Sequence, residues 1–373
     1  MGLMRLMRPI GLMGLIGLIG LMGCSKDEEE LLPTEASIEV MSYVAGFEEN
    51  TLVTRSWAPT SPFVLYGETD KSIGIAFTQD GQAPNKGYFF KVDGNWRAKI
   101  DDLTGDATYY LYGYVPQLTG MAMNITDRSE TNASYSTGAK LTLENVPAVM
   151  SNDLCVVIGA KQGTNAETVA GLRMGDFAYT ASPSVDGNFV FLLFDHLYAA
   201  LRIKMRVHDD YHALRTIKLK SLSMKTQAGT TPSTQKTKIL VDLKATDGSD
   251  PEESPIQTIT YTPSGAAISE PLEFWSSAAG EELTTEFSTH IGHFMPDGIT
   301  TLVLTSVYDI YDKKGNLLRK DCKATNTMLL NDLLTGQLTT RRGCRYTVNM
   351  TIKPTYLYML SEPDLDNPTV IVE

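Results

Sequence analysis

The chain has 373 residues and a formal net charge of −12 at pH 7, with 42% hydrophobic and 20% charged residues. This length is enough for two domains of common size, and the hydrophobic fraction is enough for ordinary buried cores. An acidic body repels phosphate backbones and anionic lipid surfaces. The composition therefore argues against nucleic acid as a partner and against a polybasic membrane-surface mechanism.

Residues 1–23 carry Arg5 and Arg8, followed by a run of apolar residues and glycine. The run is too short and too rich in glycine for a transmembrane helix, and it fits a secretory signal. It ends in LMGC, with Gly23 immediately before Cys24. This order resembles the lipobox of bacterial lipoproteins, in which the peptidase cuts before the cysteine and the thiol carries the lipid. We predict Cys24 as a lipidation site; the alternative is a secreted protein with an incidental cysteine.

Residues 24–35 form an acidic tether that begins CSKDEEE. A lysine followed by several acids next to a lipidated cysteine resembles the surface-export signal of some Gram-negative lipoproteins. A solvated, disordered linker has the same composition, and the two interpretations are compatible.

From residue 36 onward the patterns are those of β-strands, and long amphipathic helical patterns are scarce. Polar and apolar residues alternate with the period of two that half-buried strands require. The clearest runs are 108–115, 201–208, 302–310 and 345–353. Asp-Gly-Asn turn signals at 93–95 and 186–188 separate apolar runs. In 217–224 the apolar phase slips by one residue, which predicts a bulge.

The sequence predicts a domain boundary at ASPSVDGN, residues 181–188, after which a new set of strands begins. The pattern predicts an all-β chain of two tandem β-sandwich domains, residues 36–187 and 188–373. The polar stretch 228–257 is interpreted as a long loop in the second domain.

Three cysteines remain once Cys24 is set aside: Cys155, Cys322 and Cys344. An oxidising compartment would allow one disulfide and one free thiol, and a Cys322–Cys344 bridge is one alternative. Cys344 lies in phase with the apolar positions of the run 345–353, which predicts that it faces a core. A buried free thiol is therefore the other alternative.

Catalytic patterns are weak, because the chain lacks HExxH, GxSxG and a phosphate-binding glycine loop. The histidine pairs in HDDYH (208–212) and HIGH (290–293) lack the helical face that metal binding at such spacing needs, so we interpret them as structural or exposed. No pair of carboxylates is marked for acid–base work. We expect no enzyme activity, no cofactor and no metal.

The chain ends in a polar, proline-containing turn and a short apolar strand. The strand residues are Thr369, Val370, Ile371 and Val372. An apolar terminal strand is a liability unless it is paired. It either folds onto its own domain as an edge strand or is donated to a groove in another subunit.

Four stretches in order resemble the fimbrillins, subunits of the protease-assembled (type V) pili of Gram-negative anaerobes. They are the lipobox with Cys24, the TRSW at 54–57, FDHLYAALRIKMRV at 194–207 and GCRYTVNMTIKPTYLYMLSEPDLDNP at 343–368. Each is moderately specific alone. Together they span both ends and the middle of the mature chain.

The resemblance implies transthyretin-like, Greek-key β-sandwich domains and a route of assembly. A lipoprotein precursor reaches the surface, an arginine-specific protease cuts it, the first strand leaves, and a neighbour's terminal strand fills the groove. On this chain the displaced strand would be 36–47, with Ile38, Val40 and Tyr43, and the donor would be the terminal strand 369–372. Arg55 is the candidate cleavage residue; the alternative is an ordinary exposed loop arginine.

The sequence thus predicts a structural or adhesive pilus subunit of accessory, tip or anchor type. Its expected partners are other pilus subunits, an arginine-specific protease and a host protein or glycan, but not nucleic acid. Its expected location is the outer membrane, lipid-anchored and surface-exposed, and the pilus after assembly. The alternative is a non-polymerising surface lipoprotein that binds glycans or host protein.

Overall fold

The structure is a computed structural model that describes most of the chain from Glu35 to Val372. The described residues are 35–44, 56–57, 64–69, 74–77, 87–92, 95–104, 108–126, 139–163, 175, 177–180, 189–244, 254–330, 339–355 and 364–372. They form β-strands almost throughout, which confirms the all-β prediction. No helix in these residues is long and apolar enough to cross a bilayer.

Sheet I is the largest sheet, with ten strands and the order β4-β3-β7-β11-β13-β1-β6-β5. Two further strands pair with members of this path, β12 with β7 and β2 with β1. The strands are β1 (Glu35–Val44), β2 (Ser56–Trp57), β3 (Val64–Thr69), β4 (Gly74–Phe77), β5 (Gly87–Val92), β6 (Asn95–Thr104), β7 (Thr108–Val115), β11 (Cys155–Gly163), β12 (Ala178–Thr180) and β13 (Phe189–His196).

Sheet II has four strands in the order β18-β17-β9-β8 and faces sheet I. Its strands are β8 (Ala122–Thr126), β9 (Ala139–Pro147), β17 (Thr234–Leu243) and β18 (Ile256–Ala267). The inward residues of β9 and β17 alternate with exposed ones, as a one-sided sheet requires. Leu141, Leu143, Ile239 and Val241 pack with Phe191 and Phe194 of sheet I to form the first core.

Sheets III and IV enclose a second core. Sheet III has the order β10-β20-β14-β23-β24; sheet IV has the order β16-β15-β21-β22, with β19 also on β15. The strands of sheet III are β10 (Val149–Met150), β14 (Ala199–Val207), β20 (Ser288–Phe294), β23 (Arg345–Thr355) and β24 (Asp364–Val372). The strands of sheet IV are β15 (Arg215–Ala228), β16 (Thr231–Pro232), β19 (Leu272–Leu283), β21 (Thr301–Asp312) and β22 (Leu317–Leu329).

A short helix, α1 (Asp209–Leu214), connects β14 to β15. His208 is its N-cap residue: the His208 ring accepts a hydrogen bond from the backbone N–H of Asp210 at 3.3 Å. Two acids in the first turn suit the positive end of the helix. Tyr211 is the helix residue that reaches the second core.

The two sandwiches do not divide at residues 187 and 188, where the sequence placed the boundary. β13 belongs to sheet I, so the chain leaves the first sandwich between His196 and Ala199. Residues 228–257 are not one long loop, because β17 and the first residues of β18 lie within them. This β17–β18 hairpin from the second half completes sheet II of the first sandwich, since the apolar residues of β17 need the first core to be buried.

Candidate strand-exchange site

Strand β1 occupies an interior position in sheet I, although it is the first strand of the described chain. It pairs in parallel with β13 and antiparallel with β6, so both of its edges are bonded. The parallel register runs from Glu39 opposite Phe189 to Val44 opposite Phe194. Removing β1 would therefore open a slot with a strand on each side, not trim the sheet at its edge.

The wall of this slot is β13, whose sequence is FVFLLFDH. Residues 190–194 are all buried, and Phe191 and Phe194 have no exposed surface. A continuous apolar run is what a strand needs when both of its faces are covered and a parallel strand lies beside it. β11 pairs with the edge of β13 opposite β1. β13 would therefore stay paired with β11 if β1 were removed.

All three residues that the resemblance assigned to a displaced strand lie in β1. The predicted strand 36–47 and β1 share residues 36–44, and 45–47 lie outside the described residues. The backbone partners are Ile100 for Ile38, Val190 and Ala98 for Val40, and Leu193 and Trp57 for Tyr43. Displacement itself stays a prediction.

The short strand β2 lies against the end of β1. Ser56 is opposite Val44, and Trp57 is opposite Tyr43, in an antiparallel pair. Arg55 is the residue immediately before β2 in the sequence. Both Arg55 and Cys24 lie outside the described residues, so cleavage and lipidation also stay predictions.

Strand β24 is an edge strand of sheet III and pairs only with β23 among the described strands. Val370 is opposite Ile352 and Val372 is opposite Met350. Val370 is buried and Val372 packs against the second core, whereas Thr369 and Ile371 are exposed. The terminal strand is thus folded onto its own sandwich, with one apolar face inward and with β23 as its one strand partner in the described part of the chain.

Contacts with other elements hold β24 in place. The Tyr211 hydroxyl donates a hydrogen bond to the carbonyl oxygen of Leu365 at 2.7 Å, and burial raises the pKa of Tyr211, which keeps it a neutral donor. From sheet IV, Asn326 Nδ2 donates to the carbonyl oxygen of Val370 at 3.1 Å. These bonds come from side chains and add to the pairing of β24 with β23 on one edge, whereas β1 is paired with strands on both edges.

The predicted donor and the predicted displaced strand do not share an edge. β1 is in sheet I and β24 is in sheet III, on the other sandwich. β24 also pairs antiparallel to its neighbour, whereas β1 has one parallel neighbour. The two strands therefore do not occupy adjacent edge positions in the described structure.

Neither Cys322 nor Cys344 is disulfide-bonded, so the bridge that the sequence left open is not formed in the structure. The reason is their placement. Cys322 lies in β22 opposite Tyr308, in sheet IV, whereas Cys344 lies one residue before β23 in sheet III. Cys344 is 7% exposed, which confirms that it faces a core. Burial raises the pKa of the Cys322 thiol.

The histidines of the two sequence pairs that carry described hydrogen bonds serve local structure. His208 caps α1, His290 lies 3.2 Å from the Ser288 hydroxyl, and His293 Nδ1 lies 2.9 Å from the carbonyl oxygen of Ser151. Burial lowers the pKa of both His290 and His293. The sequence assigned no site role to His196 and considered Cys155 only for disulfide pairing, yet these two residues lie opposite each other in neighbouring strands.

No protein-family model and no curated protein sequence matches the chain. Among solved structures, the chain is similar to the fimbrial anchor protein Mfa2 from Porphyromonas gingivalis, at 10% identity and a TM-score of 0.23, covering 91% of this chain and 96% of that one. It is also similar to the tip fimbrial protein Mfa3 from the same organism with a C-terminal truncation, at 8% identity and a TM-score of 0.24, covering 91% and 98%. A third similar structure, described as a candidate cell adhesion protein from Bacteroides uniformis, has 11% identity and a TM-score of 0.33, covering 90% and 97%.

Proposed function

We propose that the chain is a fimbrillin-like structural or adhesive subunit of a cell-surface pilus, exported as a lipoprotein through Cys24 and polymerised by strand exchange, and that it is not an enzyme. The observation that carries the proposal is the position of β1. The first strand sits inside sheet I, bonded along both edges, and the candidate cleavage residue, Arg55, comes after β1 in the sequence and immediately before β2.

Cleavage after Arg55 would turn β1 into a separate peptide held only by non-covalent pairing. If it then leaves, β13 and β6 each lose the backbone partners along one edge. Each buried donor or acceptor left without a partner costs about 1–3 kcal/mol. An empty slot is therefore much less stable than a filled one, and a strand from another subunit satisfies the same backbone groups.

The terminal strand β24 is the donor in this scheme. Val370 and Val372 form an apolar face of the strand. Thr369 and Ile371 lie on its other face, which is exposed. The slot beside β13 is apolar, so an incoming strand with valines at alternate positions suits it. Because β24 is an edge strand, its release breaks pairing along one edge only.

The cysteines and the β17–β18 hairpin depart from a plain stalk pattern and favour an accessory, tip or anchor subunit. The partners in this scheme are other pilus subunits, an arginine-specific protease and a host protein or glycan. The precursor is lipid-anchored and surface-exposed at the outer membrane, and the mature subunit is part of the pilus.

A second function is favoured by the same terminal strand. β24 already completes its own sandwich, with Val370 buried and Tyr211 and Asn326 bonded to its backbone. A chain that keeps this arrangement would be a non-polymerising surface lipoprotein that binds glycans or host protein.

Digestion with an arginine-specific protease distinguishes between the two proposed functions. The full chain should be cut after Arg55, and higher oligomers should then appear on a non-reducing, unboiled gel. The matched control is Arg55→Lys, which keeps the positive charge and removes the cleavage site, and which should stay monomeric. Oligomers that form equally with Arg55→Lys, or a cut chain that stays monomeric, would contradict polymerisation by this route.

A further inference from the structure

Three side chains bring an oxygen, a sulfur and a nitrogen atom together where β11 begins and β13 ends. Cys155 Sγ lies 3.0 Å from Asp153 Oδ2 and 3.5 Å from His196 Nδ1. His196 Nδ1 also contacts Asp153 Oδ2 directly. These are the one group of three or more His, Cys, Asp or Glu residues with converging ligand atoms in the described part of the chain, with all three atoms within 4.8 Å of one another.

The local β-structure fixes this arrangement. Cys155 is the direct antiparallel partner of His196, so their side chains lie side by side on one face of sheet I. Asp153 precedes Cys155 by two residues, the period that returns a side chain to the same face of an extended chain. The backbone N–H of Leu197 donates to the carbonyl oxygen of Leu154 at 2.7 Å, which holds the two segments together beyond the strands.

The geometry does not suit a nucleophilic cysteine. In a catalytic relay the cysteine and the carboxylate engage different ring nitrogens of the histidine, but here both face Nδ1. Cys155 is also 1% exposed, whereas a reactive cysteine needs an accessible thiol. Three donors that converge on one point are instead the pattern of a metal site.

We propose that Asp153, Cys155 and His196 bind a Zn²⁺ ion through the carboxylate, the thiolate and Nδ1. Thiolate, imidazole and carboxylate are the ligands that zinc takes in proteins. Ligands about 2.0–2.3 Å from zinc lie about 3.3–3.8 Å apart at tetrahedral angles, close to the separation of Cys155 Sγ from His196 Nδ1. The ion would replace the direct contact between Nδ1 and Oδ2 with one bond to each atom.

Two further features fit a cation. Asp153 Oδ1 is buried and makes no hydrogen bond within the described residues, so a negative oxygen without a donor lies beside the cluster. A carboxylate and a thiolate together balance the charge of a divalent ion in a buried site. The side chain of Asp153 is 17% exposed, whereas that of His196 is 3% exposed, so Asp153 lies on the entry path.

The site lies at the junction of the two sandwiches. The Asp195 carboxylate, next to His196, accepts a hydrogen bond from Arg342 Nη1 at 2.7 Å, and Arg342 also donates to the carbonyl oxygen of His196 at 3.0 Å. Zinc would add bonds between the start of β11 and the end of β13, where the chain crosses to β14. None of these bonds involves β1, so zinc binding requires neither strand exchange nor pilus assembly.

Cobalt titration of the full chain, stripped of metal, tests the site. Co²⁺ takes tetrahedral thiolate ligands as zinc does and gives a sulfur-to-metal charge-transfer band. We expect this band with the wild-type chain, its loss on adding Zn²⁺, and a rise in Tm with Zn²⁺ because the ion binds only the folded state. No band, or no competition by Zn²⁺, would overturn the proposal.

The four cysteines of the chain provide matched controls. Cys155→Ser should abolish the band, whereas Cys24→Ser, Cys322→Ser and Cys344→Ser should keep it. His196→Gln and Asp153→Asn should each weaken Zn²⁺ binding more than about 100-fold, the upper end of the loss when a supporting partner is removed. Asp153→Asn serves if Cys155→Ser does not fold, since Asp153 is partly exposed. A band that survives Cys155→Ser, or unchanged affinity in folded Asp153→Asn, would show that the cluster is structural only.

Discussion

The first and last strands of the described chain, β1 and β24, differ in how they are held. β1 has a neighbour on each edge, whereas β24 has β23 on one edge and side-chain contacts elsewhere. An interior strand contributes more to the stability of its sandwich, and its removal leaves a slot between two strands. An edge strand loses pairing along one edge only, so its release costs less. In a strand-exchange scheme β1 therefore suits the role of the displaced strand, whose slot is refilled, and β24 suits the role of the donor. Four pairs of variants test this difference, in order of decreasing expected loss of stability.

Substitution of Phe191 tests whether β13, the wall of the slot, is buried in the first core. Its side chain is fully buried in β13, so Phe191→Ala should lower the free energy of unfolding by about 3–5 kcal/mol through the cavity it leaves. The control is Phe287→Ala, at a residue that is 38% exposed and lies 4.7 Å from the Arg206 guanidinium, where about 1 kcal/mol is expected. Urea unfolding measures both. Equal effects would mean that β13 is not buried as described.

Proline substitution compares the two strands directly. Val40→Pro removes a backbone donor from a strand that is paired on both edges, so it should lower the free energy of unfolding by about 3 kcal/mol or more. Ile371→Pro in β24 should have a smaller effect, because proline is tolerated on edge strands. Urea unfolding of the two full-length variants shows which substitution lowers the free energy of unfolding more. The comparison fails if Ile371→Pro is the more destabilising change.

Substitutions on the buried face of β24 should destabilise the protein more than substitutions on its exposed face. Val370→Ala removes buried methyl groups and should cost about 1–2 kcal/mol, whereas Thr369→Ala on the exposed face should stay within about 0.5 kcal/mol. Thermal unfolding checks both values. If Thr369→Ala has the larger effect, the register of β24 is shifted by one residue.

The hydrogen bond from Tyr211 to Leu365 gives the smallest effect. Tyr211→Phe keeps the ring and should cost about 1 kcal/mol, with faster amide exchange in β24 and unchanged exchange in β1. The control is Tyr198→Phe, which removes a hydroxyl that is bonded to the carbonyl oxygen of Pro147, away from β24. Faster exchange in β24 with Tyr198→Phe alone would contradict the assignment of Tyr211 as an anchor of this strand.

Local patterns predicted the elements well. Alternation identified β7, β14, β21 and β23, and the slip in 217–224 corresponds to the register shift between Leu219 and Ser221 in β15. The apolar phase also placed Cys344 against the core. These features depend on neighbours in sequence, because the period of two is set by the backbone itself.

Pairing between distant segments could not be predicted from these patterns. The β17 alternation at Ile239, Val241 and Leu243 was visible, but nothing in it says that its partner is β9, about 100 residues earlier. The cluster of Asp153, Cys155 and His196 was missed for the same reason. Asp153 and Cys155 share a phase, yet their meeting with His196 depends on the β11–β13 register.

Native mass spectrometry of the chain cut after Arg55 is the most direct test of strand exchange, because it weighs the assembled particles with any bound fragment. We expect oligomers whose subunits begin at Ser56 and carry no β1 peptide, with the released peptide found free. Monomers that begin at Ser56 and retain the β1 peptide in equal amount would contradict it, since the slot between β13 and β6 would then never be vacated.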